Sequence, residues 1–145
     1  MSEEKVLWTF YGYRTPAEGD PVQEWFDALN EDERDEAIDV ITYLKVLPRQ
    51  HWGLPKFEAF DSEISEIRFT VNSPKRIFRI YGTFWPKTHR NAYTFLVGKD
   101  KKVSNDKRGK KLATARLKKL LSREAGAHGF RLYKQSDSKT TQGQD

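Results

Sequence analysis

The sequence predicts a small α+β domain: an antiparallel sheet packed on an N-terminal helical hairpin, with a basic helix at the C-terminal end. Three patterns carry that expectation. Apolar residues recur at helical spacing between Val22 and Leu47, alternate with polar ones from Ser62 to Phe84, and return to helical spacing from Leu112 to Leu121. A chain of 145 residues has the length of one domain, and its 37% hydrophobic content, with four Trp and nine Phe, can fill one core. The domain is expected over residues 1–133. A polar tail over 134–145, with no apolar residue, is expected to be disordered.

Residues 5–13 are aromatic and apolar and read as a first strand. Asp20-Pro21 is an N-cap followed by proline at the first helical position. Val22, Trp25, Phe26 and Leu29 then make one apolar stripe. Asn30 with Glu33 is a capping-box pattern that restarts the chain as a second helix, with Ala37, Ile38, Ile41, Leu44 and Leu47 as its stripe and Pro48 as its end. The acids Glu31, Asp32, Glu33, Asp35 and Glu36 suit the positive end of that helix dipole, so they read as helix chemistry and solvated surface. With almost no loop between them, the two helices should form the hairpin.

Residues 48–61, with Pro48, Gly53 and Pro55, read as a connector. From Ser62 to Val71, Ile67, Phe69 and Val71 share one face while Glu66, Arg68 and Thr70 share the other. After the turn Asn72-Ser73-Pro74, Phe78, Ile80 and Phe84 oppose Arg79, Tyr81 and Thr83. Such alternation describes half-buried antiparallel strands with the apolar side towards the helices. Pro86 to Asn91 is a second turn, and Ala92 to Gly98 a more fully buried third strand. Ser104 or Asn105 is expected to cap the basic helix, whose stripe is Leu112, Ala113, Leu117, Leu120 and Leu121; His128 is expected in a loop beyond it.

Charge is divided unevenly. Residues 1–70 hold 7 Lys+Arg against 16 Asp+Glu, a net of −9, and residues 71–145 hold 19 against 5, a net of +14. This asymmetry points to a polyanion, most often nucleic acid, or to an acidic protein partner. The absence of cysteine removes disulfides, thiolate nucleophiles and cysteine zinc sites. His51, His89 and His128 lie far apart without ligand spacing, so neither a metal nor a cofactor is expected. No stretch approaches the roughly 20 apolar residues of a membrane span, and Met-Ser-Glu-Glu does not begin a signal peptide. A soluble, cytoplasmic protein is the expectation.

The residues suited to chemistry lie on the polar face of the strands. Arg68 and Arg79 are expected to point outwards on neighbouring strands, with Tyr81 on the same face and Arg76 near its edge. Lys99, Lys101 and Lys102 follow the third strand, at the rim. Guanidinium groups bind phosphate bidentately, lysines add diffuse charge, and an aromatic ring among them stacks on a base. Lys107, Arg108, Lys110 and Lys111 add long-range, salt-sensitive attraction. The competing explanation is that these cations keep an exposed sheet face soluble, paired with Glu66 or Glu63.

Three segments together resemble the core of the RelE/ParE toxin superfamily, in its HigB-like, phage Gp49-like branch. They are Glu66-Ile67-Arg68-Phe69, then Arg76-Ile77-Phe78-Arg79-Ile80-Tyr81, then Thr94-Phe95-Leu96-Val97-Gly98-Lys99-Asp100-Lys101-Lys102. The resemblance extends over residues 5–122, including the helical hairpin and Gly53-Leu54-Pro55. It implies a curved antiparallel sheet flanked by helices, and a toxin of a type II toxin–antitoxin pair. Such a toxin is a metal-independent endoribonuclease that cleaves mRNA on the ribosome by 2′-OH attack, and its partner is a helix-turn-helix antitoxin. Carried over, Arg68 and Arg79 would clamp the scissile phosphate. Lys99, Lys101 or Lys102 would supply charge or proton transfer, and Tyr81 would position the RNA, with Arg76 a weaker member. Lys99 stands where the family usually has an aromatic. A ParE-like DNA gyrase inhibitor and a non-catalytic, phage-derived nucleic-acid-binding protein remain the alternatives.

Overall fold

The computed structural model describes residues 6–61, 63–72, 74–100 and 106–133. In chain order the elements are β1 (Thr9–Arg14), α1 (Pro21–Asp27), α2 (Glu31–Lys45), a 3-10 turn (Arg49–His51), β2 (Phe57–Ala59), β3 (Ser65–Val71), β4 (Arg76–Thr83), β5 (Ala92–Asp100), α3 (Lys107–Leu121) and β6 (Gly126–Gly129). The fold is α+β: three helices and one open, six-stranded sheet in the order β2-β3-β4-β5-β1-β6.

The helix signals act largely as their chemistry requires. Asn30 Oδ1 accepts the Glu33 amide at 2.9 Å while Glu33 Oε1 accepts the Asn30 amide at 2.9 Å, so the capping box at α2 is complete. Pro21 occupies the start of α1, but the Asp20 side chain does not cap that helix. It takes the Arg14 Nε–H at 2.6 Å instead, which ties α1 to the end of β1.

The expectation of a wholly antiparallel sheet needs correction. β2 through β5 are antiparallel neighbours, but β1 pairs with β5 in parallel, Thr9 opposite Ala92. The chain travels through α1, α2 and three strands between them, which is the long crossover a parallel pair requires. β6 then closes on β1 in antiparallel fashion, Gly12 opposite His128. His128 therefore lies in a strand and is buried, not in a loop. The tripeptide β2 also falls inside the expected connector, being too short to show alternation.

Alternation sorts the sheet into two faces. Phe10, Phe57, Ile67, Phe69, Phe78, Ile80, Tyr93 and Phe95 join Val22 and Phe26 of α1 and Ala37, Ile41 and Leu44 of α2 in the larger core. The indole of Trp25 covers Gly98 so closely that a Cβ there would stand 2.3 Å from the ring. On the opposite face Tyr13, Tyr81, Leu96 and Val97 pack against Ala113, Leu117 and Leu120 of α3. A register shift between Tyr81 and Gly82 skips Leu96 in the β4–β5 pairing, and this bulge turns two consecutive β5 residues towards α3.

The polar face is therefore largely closed to water where α3 lies over β4 and β5. Among the described residues, no helix is long and apolar enough to cross a membrane.

Candidate functional site

Strand register assembles part of the expected constellation. Arg68 of β3 lies opposite Arg79 of β4, and Arg79 lies opposite Lys99 of β5, which makes a row of cations across three strands. Tyr81 is two residues beyond Arg79 on the same face and pairs with Glu66 on β3. Lys99 belongs to β5 itself, since the strand runs two residues past its expected end at Gly98.

Exposure contradicts the expectation of an outward face. The Arg79 side chain is 2% exposed and Tyr81 is fully buried; Arg68 retains 25% and Lys99 36%. Arg76 is a second correction. It stands opposite Val71 of the larger core, on the α2 side, where it pairs with Glu33 and lies over the Phe78 ring at 5.7 Å. It does not join the row. Lys107, Arg108 and Lys111 are exposed on α3, whereas Lys110 folds back over Phe60. Leu112 and Leu121, expected in the helix stripe, are exposed as well. Lys101, Lys102 and the tail from residue 134 lie outside the described residues. The cap of α3, expected at Ser104 or Asn105, is Asp106 instead.

Carboxylates neutralise the row: Glu66, as the competing explanation expects, together with Glu58 and Asp106. Arg68 forms ion pairs with both Glu58 and Glu66. Arg79 Nη1 lies 3.4 Å from Glu66 Oε1 and donates to the Tyr81 hydroxyl. Tyr81 Oη donates to Asp106 Oδ2 at 3.0 Å, and Lys99 Nζ donates to Asp106 Oδ1 at 3.0 Å. Asp106 also accepts the Gly109 amide at 3.0 Å, so it is the N-cap of α3. Gly109 permits this approach: a Cβ there would lie 2.1 Å from the Asp106 carboxylate and 2.7 Å from the Tyr81 ring. One continuous chain of polar contacts thus runs from Glu58 at the sheet edge to the first turn of α3.

Protonation follows from these contacts. Burial, with the Asp106 hydrogen bond adding to it, pushes the Tyr81 phenol well above its ordinary value despite the Arg79 guanidinium. Tyr81 is a proton donor here, never a base at neutral pH. For Asp106 burial opposes ionisation, but the Gly109 amide, Lys99 and Tyr81 together outweigh it and hold the carboxyl below the usual range. Burial likewise disfavours the charged Arg68, and the Glu66 and Glu58 carboxylates more than compensate.

Solvent reaches the row at its two ends, Arg68 and Lys99. Arg68 borders a cleft of about 350 Å3 that Lys56, Pro55, Thr70 and Ile77 also line. On the other side of the row, Phe60 stands edge-on to Tyr81, with ring centroids 5.7 Å apart. Glu66 was legible as a partner, since it sits two residues before Arg68 on one face. Asp106 was hidden among three adjacent cap-forming residues, Ser104, Asn105 and Asp106.

No family model, no curated protein and no solved structure matches the chain.

Proposed function

We propose that this protein is a RelE-type toxin of the HigB-like, phage Gp49-like branch, an endoribonuclease directed at mRNA on the ribosome. The observation that supports this reading best is the register row Arg68–Arg79–Lys99, with Tyr81 beside it. In the reaction, the ribose 2′-oxygen attacks the adjacent phosphorus as its proton departs to a base. The bond to the 5′-oxygen breaks, that oxygen takes a proton, and a 2′,3′-cyclic phosphate remains. Developing negative charge on the phosphoryl oxygens is what clustered guanidinium and ammonium groups stabilise. Arg68 and Lys99, the two partly exposed members, meet the phosphate first. Arg79, anchored by Glu66, fixes their spacing from behind. The RelE-like arrangement of a helical hairpin, a curved sheet and a basic C-terminal helix belongs to the same reading. So do a cytoplasmic location and a helix-turn-helix antitoxin, to which opposite charge would draw the basic face.

One observation favours a second reading, a nucleic-acid-binding protein that cleaves nothing. Arg79 and Tyr81 are buried, and Arg68, Arg79 and Lys99 each face a carboxylate. Inducible expression of the full chain in a bacterium, beside Arg68→Ala and Lys99→Ala variants, separates the readings. Growth arrest with cleaved mRNA, lost in the variants, is the expected result. Arrest with intact mRNA and a DNA-damage response would transfer the chain to the gyrase-inhibitor class. No arrest, with RNA binding retained, would select the non-catalytic reading.

A further inference from the structure

The β2–β3 connection carries an aromatic residue, Phe60, that packs on Tyr81 from outside the polar chain. Phe60 follows β2 directly, and its amide donates to Ile64 O at 3.3 Å, which fixes where the ring enters. The ring is half-buried: its packing on Tyr81 is near-perpendicular, at 85°, and the Lys110 ammonium stands over it, 4.6 Å from the centroid. Lys110 forms no ion pair among the described residues. A ring face beside the Arg79–Tyr81 pair is thus covered by an ammonium that forms no ion pair among the described residues.

We propose that Phe60 is the base-stacking platform of the site, with Lys110 as its occupant in the free protein. The inference rests on the RNA reading above and names its substrate class: single-stranded RNA, since a base must leave its helix to lie on a ring. Stacking of a base on an exposed aromatic is a stronger contact than a solvated ammonium over the same ring, so the base displaces Lys110. The released ammonium, on the first turns of α3 beside exposed Lys107, Arg108 and Lys111, then meets the adjoining phosphate. Because every base has a π face, stacking on Phe60 selects unpaired RNA without selecting its sequence.

The test is fluorescence anisotropy with a labelled 12-nucleotide single-stranded RNA, its duplex, and a single strand whose central nucleotides lack bases. The unaltered protein, Phe60→Leu and Phe60→Tyr are compared after thermal unfolding has verified that each folds. Phe60→Leu is expected to weaken binding of the single strand about 10-fold and Phe60→Tyr to restore it, because an aromatic face returns. On the base-free strand, Phe60→Leu and the unaltered protein should bind equally. Lys110→Gln should lower the salt dependence on the single strand by about one phosphate contact. Equal affinities of Phe60→Leu and the unaltered protein for the intact strand would overturn the inference and leave the RNA reading standing. So would a loss of the same size on the base-free strand. An unaltered protein that binds no RNA would overturn both.

Discussion

Removing Glu66 should do more damage than removing any other single member of the polar chain. Its side chain is 3% exposed, and it lies between Arg68 and an Arg79 that is 2% exposed. Glu66→Ala removes the carboxylate that Arg79 Nη1 faces at 3.4 Å, and breaking a buried pair from one side costs about 3–5 kcal/mol. Arg68 loses less, because it is partly solvated and keeps Glu58. At about 3 °C per kcal/mol for a chain of this size, the melting temperature should fall by roughly 10 °C. Glu66→Leu combined with Arg79→Leu removes both charges together and should unfold at a higher temperature than Glu66→Ala, since an apolar replacement of a whole buried pair is often near neutral. Chemical denaturation followed by circular dichroism measures all three proteins. A loss below about 1 kcal/mol for Glu66→Ala would show that Glu66 does not carry the Arg79 charge, and that water or another partner compensates it fully.

Other predictions concern α3 and the sheet. Asp106 has a folded-state pKa below its ordinary value, so its contribution to stability is complete above about pH 4 and is lost as pH falls through the depressed folded value. Asp106→Asn keeps an acceptor for the Gly109 amide but loses the charge facing Lys99; its acid unfolding should be shallower than that of the unaltered protein, measured by stability at pH 2–7. Gly98→Ala places a Cβ 2.3 Å from the Trp25 ring and should cost about 1–3 kcal/mol, with a shift in tryptophan fluorescence. Charge reversal at exposed Lys107 and Lys111 should leave stability within about 0.5 kcal/mol while reducing RNA affinity and its salt slope in a binding titration.

Much of the architecture was readable because periodicity reports burial directly. The stripes of α1 and α2 and the alternation of β3 and β4 recur as the larger core. Parallel pairing of β1 was not readable, since a strand's sequence does not name its neighbour. Gly126-Ala127-His128-Gly129 shows why β6 escaped: small residues make no alternating signal, and the edge of β1 recruits them. For the site, alternation correctly put Arg68, Arg79 and Tyr81 on one face. It could not say what covers that face. Polar residues on alternate positions signal water when the face is exposed, and they signal paired charges when a helix lies over them. Here Glu58, Glu66 and Asp106, scattered over 49 residues from 58 to 106, converge only in the fold.

In the proposed reaction the Arg68–Arg79–Lys99 row acts on an RNA phosphate. Its most direct test is end-group analysis of mRNA incubated with the purified protein and translating ribosomes, with and without EDTA. The expected products carry 2′,3′-cyclic phosphate and 5′-hydroxyl ends that persist in EDTA and disappear with Arg68→Ala. Products bearing 5′-phosphates, cleavage abolished by EDTA, or mRNA left intact would contradict the proposed reaction.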